Sequence, residues 1–299
     1  MSSGCPICRN EKYIVKGKSL TNNISKSFMD KDYKVVQCTD CSAYYVNPSI
    51  DFTDKQWGML YNNEYFGENT EWFEKQRTRE LFERLSKIEK LLGKNKDIRL
   101  LDIGAGEGRT LLEGANRGWD VTGIDIVDNR RSNAKSEKIK FIKAKFLEYE
   151  LPENYYDIIY IDSVLEHVLK PIDYLEKAKK ILRPGGIIYV GVPNEDSLFN
   201  SIKYFSYKVT GKSEITEKIR PFDSPYHIIG FNKKSLNYSV TKTGLKVKLL
   251  ENIGRKLDFM AYKPTAKGFW IGLLFMFPVE LVAGTLKKDL YYCAYLTKD

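Results

Sequence analysis

Apolar and polar positions alternate with a period of two in two short early runs, EKYIVKGKS and DYKVVQC, which predict two or three small strands. From about Glu71 the period lengthens: Leu81, Leu85, Ile88 and Leu92 fall on one face of a helix closed by Gly93. The next run, IRLLDIG, reads as a buried strand, and a glycine-spaced loop, a helix and a second strand, DVTGID, follow it. That order opens a βαβ unit. SVLEHV predicts a helix starting near Ser163, with Ser163, Glu166 and His167 on one side. FNKKSL reads as another helix start, with Asn232 as its N-cap. Near the end, GFWIGLLFMFPVELVAG is interrupted by Pro278 and Glu280, and its ten continuous apolar residues are too few to span a bilayer. Three placements stay open for it: a membrane interface beside Lys263 and Lys267, the core, or an oligomer contact.

The cysteines add a second module. Cys5 and Cys8 stand in CPIC and Cys38 and Cys41 in CTDC, separated by 29 residues that hold the short strands. Two such knuckles supply four thiolates to one tetrahedral ion, and four protein thiolates leave no open position for a substrate, so the expected metal is structural zinc. Cys293, in LYYCAYL, reads as core. The opening MSSGCPICRN has no apolar stretch of the secretory kind, which together with paired cysteines predicts a reducing, cytoplasmic setting. With 299 residues, 42% of them hydrophobic, the chain can build one large α/β domain and a small appendage. The net charge of +9 suggests an anionic partner without choosing one, because the lysines are mostly dispersed.

The glycines of DIGAGEG run G-x-G-x-G (Gly104, Gly106, Gly108), with Asp102 two residues ahead and Asp125 about twenty residues on at the end of the second strand. A pyrophosphate would be repelled by Asp102, whereas an ammonium group could use it, and Asp125 lies where a carboxylate can accept both ribose hydroxyls. This stretch resembles motif I of the class I S-adenosylmethionine (SAM) methyltransferases. FIKAKFLEYELP, YYDIIYID, GGIIYVGVPN, LKVKLLENIGR and LYYCAYLTK fit the remaining strands in the expected order, the last two antiparallel at the sheet edge. The resemblance implies an α/β fold with a Rossmann-like seven-stranded sheet and a small N-terminal zinc-ribbon module. The corresponding divisions are a ribbon over 1–48, an aromatic-rich linker and helix over 49–97, and a methyltransferase domain over 98–299. Within that domain a substrate lid is expected at about 194–232 and an apolar insertion at about 257–286. It also implies SAM held by the glycine loop, with Asp125 and the adjacent Ile126 at the ribose and Asp162 and Ser163 beside the sulfonium. The usual acid for the adenine amino group is replaced by Lys145, which cannot accept that hydrogen bond; a backbone carbonyl or Glu148 is the expected substitute.

Only two histidines occur, His167 in LEHV and His227 in DSPYHIIGF. The LEHV pattern resembles small-molecule O-methyltransferases, some of which carry an acid where Ser163 stands and use a metal there; serine argues against that metal here. His167 is either a packed residue near the cofactor or a catalytic one. His227 is a candidate general base, a substrate-positioning residue or a structural loop residue. Ribbon, core and loop together look like bacterial methyltransferases of sugars or other small molecules. The expected acceptor is a hydroxyl of a nucleotide- or lipid-linked sugar, with peripheral contact at the inner membrane face and a homodimer as further expectations. A nucleic-acid partner is disfavoured, because the fourth strand lacks an N/D-P-P-F/Y clamp and the ribbon lacks clustered arginine. An rRNA or tRNA base methyltransferase and a non-catalytic SAM-binding scaffold are the alternatives.

Overall fold

A computed structural model describes residues 4–50, 52–60, 71–210, 214–216, 218–254 and 258–298. Part of the aromatic-rich linker, 61–70, lies outside the described residues, as do 211–213 and 217 of the expected lid and 257 of the apolar insertion.

The N-terminal module carries β1 (Tyr13–Gly17), a short helix α1 (Asn23–Lys26), β2 (Lys34–Cys38) and β3 (Tyr44–Asn47). Then come α2 (Asp54–Leu60) and the long helix α3 (Glu71–Leu92). The large domain continues with β4 (Arg99–Ile103), α4 (Arg109–Asn116), β5 (Asp120–Asp125), β6 (Ile139–Lys143), β7 (Tyr156–Asp162), α5 (Pro171–Ile181) and β8 (Leu182–Pro193). It ends with α6 (Leu198–Val209), β9 (Ile229–Gly230), α7 (Lys233–Lys242), β10 (Lys246–Ile253), α8 (Lys267–Leu286) and β11 (Tyr291–Thr297).

Seven strands form one sheet in the order β6-β5-β4-β7-β8-β11-β10, parallel through β8 and antiparallel at β11 and β10. Side chains alternate faces, so neighbours on one strand enter different cores. Leu101, Ile159, Ile161, Ile188 and Val190 pack with Leu175 of α5 and Leu236 of α7, while Leu100, Ile158, Tyr160 and Tyr189 pack with Leu85 and Ile88 of α3. The Pro-Gly-Gly turn anticipated before the fifth strand lies within β8, with Gly185 at φ 75°.

Two expectations change. The helix foreseen at Ser163 is a single 3₁₀ turn, Leu165–His167, because Ser163 sits at φ 56° and Val164 is non-helical, so the chain enters the turn two residues late. The C-terminal apolar run, expected to be broken by Pro278 and Glu280, is one 20-residue helix, long and apolar enough by length and composition to cross a membrane. A π turn at Gly272–Met276 precedes the proline and accommodates its missing N–H. Only 11% of its most apolar window is buried, which removes core packing as its role.

The small module is not a separate bead. Its sheet runs β1-β2-β3-β9, so its last strand comes from the large domain: Tyr44 pairs with Gly230 and Tyr45 with Ile229. Asn232, which caps α7 through Ser235, also donates to the Ser42 carbonyl at 2.9 Å, and Lys242 donates to that of Ile7 at 3.1 Å.

Candidate active site

β4 delivers its last residues to the C-terminal edge of the sheet, where parallel strands leave an open crevice. Gly104, Gly106 and Gly108 all adopt positive φ. At Gly104 a Cβ would approach Val164 Cγ2 to 2.6 Å, so the loop after β7 closes down on it only because no side chain is there. The Gly106 N–H donates to Asp125 Oδ2 at 2.9 Å, and the Val127 N–H to Oδ1 at 3.3 Å. Asp125 thus holds the loop from the end of β5, with Ile126 exposed beside it.

A cleft of about 510 Å³ opens here, lined by Asp102, Gly104, Thr110, Asp162 and Ser163. Gly106, Gly108, Asp125 and Ile126 are at its margin and do not line it. Asp102 is buried, and burial, reinforced by Asp162 and Asp125, pushes its pKa well above the usual carboxylate range. The fit to a zwitterionic ligand is good. Both signs line the cleft: Asp102, Glu107 and Asp162 stand with Arg77 and Arg84 of α3 and Arg109 of α4. Arg84 Nη1 donates to Asp162 Oδ2 at 2.8 Å, and its guanidinium lies 5.7 Å from the Tyr189 ring centroid. The sequence reading passed over these arginines. Their signal was present, since Arg77 and Arg84 stand seven apart and share a helix face. A second network seals the mouth: Glu74 pairs with Arg109 at 2.6 Å and Arg131 at 2.9 Å, and Glu107 pairs with both. Lys145 lies 4.0 Å from Glu148, whose carboxylate is largely exposed.

A second cleft, about 210 Å³, meets the first at Pro225 and Tyr291. His227 lines it, with Glu195, Lys203, Lys218 and Arg220. Burial pushes the Glu195 pKa well above its ordinary range, which disfavours its charge there. Lys218 reaches the Glu195 carbonyl at 2.8 Å and Asp196 at 2.9 Å. The two histidine rings lie 4.9 Å apart at 76°, and His227 Nε2 is 4.0 Å from Glu166 Oε1. Burial lowers both histidines, His167 to about 4, and raises Glu166 to about 8. Burial thus disfavours the charged form of all three. Among the described residues neither Glu166 oxygen finds a hydrogen-bond partner on another residue, and the three side chains offer ligand atoms within 4.8 Å of one another. Ser163 is thus not decisive against a cation, because His227 supplies a third donor from another segment.

Far from both clefts, Cys5, Cys8, Cys38 and Cys41 place their sulfurs within 4.8 Å of one another. Each knuckle repeats one backbone pattern. The residue after the second cysteine is left-handed (Arg9 φ 67°, Ser42 φ 65°), and the first cysteine N–H donates five residues ahead, Cys5 to Asn10 and Cys38 to Ala43, both at 2.9 Å. This donor set fits a tetrahedral thiophilic ion.

A family model described as a methyltransferase domain matches residues 73–249, more than half the chain. Among curated relatives, the ubiquinone biosynthesis O-methyltransferases of Acinetobacter baylyi and Leptothrix cholodnii are 23% and 25% identical over 196 and 197 residues. Those alignments span 63% of this chain and 77% and 78% of the relatives. Among solved structures, a SAM-dependent methyltransferase from Archaeoglobus fulgidus superposes with a TM-score of 0.54 at 17% identity, covering 81% of this chain and all of that one. The [4+2]-cyclase SpnF follows at 0.50 and 15%, covering 74% and 81%. With its sheet order, glycine loop and Asp125 in place, the chain belongs to the methyltransferase-domain family and is a SAM-dependent methyltransferase.

Proposed function

We propose that the chain methylates a hydroxyl of a small anionic acceptor, a nucleotide- or lipid-linked sugar, with His227 receiving the hydroxyl proton. The observation that carries this reading is the second cleft, which joins the cofactor cleft at Pro225 and Tyr291 and presents His227 among Lys203, Lys218 and Arg220. SAM supplies an electrophilic methyl carbon; as the acceptor oxygen bonds to it, the carbon–sulfur bond breaks and its electron pair stays on sulfur. The chain must align the hydroxyl and remove its proton. His227 lines that cleft and would take the proton on a ring nitrogen, becoming cationic 4.0 Å from Glu166 Oε1. The basic lining suits a phosphate-linked acceptor. O-methylation also agrees with the named activity of the curated relatives. Nothing in the site favours an RNA base or a silent scaffold. In the small module, Cys5, Cys8, Cys38 and Cys41 would hold a structural zinc ion.

A second reading, in which Glu166, His167 and His227 hold a divalent cation, is favoured by their mutual 4.8 Å spacing. Turnover that requires added magnesium or manganese would select it, and turnover indifferent to both selects the base. The primary test uses methyl-labelled SAM with lysate separated into RNA, lipid, protein and small-molecule fractions. Label in lipid or small molecules, lost in His227→Ala while S-adenosylhomocysteine still binds, supports the proposal. Label in RNA refutes the acceptor.

A further inference from the structure

Helix α8 exposes a continuous apolar stripe: Trp270, Ile271, Leu274, Phe275, Leu281 and Val282 are each 44–67% exposed. On α6, which packs against the second half of α8, Ile202, Phe205 and Val209 form a second stripe at spacings of three and four, 47–69% exposed. Lysines flank the α8 stripe at both ends, Lys263 and Lys267 before it and Lys287 and Lys288 after it, all exposed. The helix's single acid, Glu280, is buried on the opposite side.

We infer that α6 and α8 form a docking face for an anionic lipid bilayer, with α8 lying in the interface plane. Three observations select this occupant. First, charge is complementary: lysines at both ends can reach lipid phosphates while the stripe between them enters the acyl boundary. Second, a copy of this chain fits poorly, because pairing α8 with itself in either direction sets lysine pairs against lysine pairs. Third, α8 is seated along its length. Gly272, Glu280 and Ala283 face the protein, and Gly272 lies so close to the 3₁₀ turn at Asp258–Ala261 that a Cβ would come within 2.3 Å of Phe259. A spanning helix would have to abandon these contacts and carry Glu280 into hydrocarbon.

The face also has a place relative to the chemistry. Asn200 and Lys203 of α6 and Leu290 and Tyr291, just after α8, line the His227 cleft, so α6 and the chain leaving α8 form part of its wall. If the acceptor reading above holds, this orientation serves an acceptor anchored by a lipid tail. The docking inference itself does not depend on it.

The test is cosedimentation of the full-length protein with vesicles of phosphatidylcholine, alone or mixed with phosphatidylglycerol. Binding to the mixed vesicles is expected, weakened by salt and reduced about ten-fold or more in Leu274→Ser/Phe275→Ser. Those side chains are 59% and 67% exposed, and unchanged binding of S-adenosylhomocysteine verifies that the variant is folded. Failure to bind mixed vesicles, or equal binding by the variant, overturns the inference. So does a dimer in analytical ultracentrifugation that the double substitution dissolves, or resistance to carbonate extraction, which would mean that α8 spans. None of these readouts uses a methyl acceptor, so failure here and failure of the acceptor reading are distinguishable.

Discussion

Arg84→Met is the sharpest probe of the cofactor cleft. Arg84 is the direct counter-charge of Asp162 at 2.8 Å; their side chains are only 19% and 32% exposed. Asp162 in turn raises the pKa of buried Asp102. Methionine keeps the length and packing over Tyr189 but leaves Asp162 an unpaired carboxylate beside other acids. Breaking a fully buried pair costs about 3–5 kcal/mol, and partial exposure here reduces that to about 2–3 kcal/mol. In a domain of this size that lowers Tm by roughly 5–10 °C. Adding Asp162→Asn removes the stranded charge, so the double variant should regain most of the lost stability. Ligand affinity should behave differently. If Arg84 recognises the cofactor's carboxylate, both Arg84 variants bind S-adenosylhomocysteine about 10- to 100-fold more weakly in calorimetry. A double variant no more stable than Arg84→Met would refute the stranded-charge argument. Wild-type affinity in Arg84→Met would refute the recognition argument.

Two other substitutions test separate parts of the site. His227→Ala should lower kcat by about 10²–10⁴ while leaving S-adenosylhomocysteine affinity unchanged, measured by single-turnover transfer and calorimetry; undiminished transfer would make the segment structural. Glu74 is held down to about 2 by Arg109 first and Arg131 second. Because its folded pKa lies below the ordinary 4.5, its contribution is present above pH 4.5 and lost as pH falls toward 2. With 28% exposure that contribution is about 1–2 kcal/mol; Glu74→Gln should unfold earlier at pH 7 and show a flatter acid limb in thermal scans between pH 6 and 3.

What could be read from the sequence was whatever rests on local pattern. The bounds of α3, the strand ending at Asp125 and the cap at Asn232 follow from periodicity, glycine spacing and side-chain capping within a few residues. The charged end of the cleft was half legible. Asp102 announces itself beside the glycines, whereas Arg84 is a lysine-like surface residue in sequence until the fold turns it onto Asp162, 78 positions away. His227 shows the limit most clearly. The sequence could place it after the fifth strand, but Glu166 and His167 meet it only in the folded chain, where the Ile228 N–H donates to the Glu166 carbonyl at 2.9 Å and the two imidazoles lie 4.9 Å apart. The shared sheet β3–β9 is likewise invisible locally, since β9 has two residues and no periodicity of its own. In α8, proline and glutamate read as interruptions because the π turn and the buried side of Glu280 are tertiary solutions.

That shared sheet gives the cysteine module a consequence for chemistry. His227 is clamped from two sides: Ile228 hydrogen-bonds back to the Glu166 turn, and Ile229 and Gly230 pair with Tyr45 and Tyr44, which begin only three residues after Cys41. A metal held by Cys38 and Cys41 would therefore fix the root of β3, and β3 pairs with the strand that begins two residues after His227. Removing the ion, by chelation or Cys41→Ser, should free this edge without reaching the glycine loop, whose contacts run to Ile124 and Asp125 of β5, to Val164 after β7 and to Arg130, Arg131 and Ala134. The expected pattern is dissociable. S-adenosylhomocysteine affinity stays within about two-fold, amide exchange rises at 229–230 but not at 100–103, and kcat falls about ten- to a hundred-fold, the penalty for misplacing an acceptor-side group by an ångström. Equal losses in cofactor affinity and kcat would mean the module merely keeps the whole domain folded. Full activity from metal-free protein, with exchange at 229–230 unchanged, would mean that the cross-domain strand holds without its knuckle.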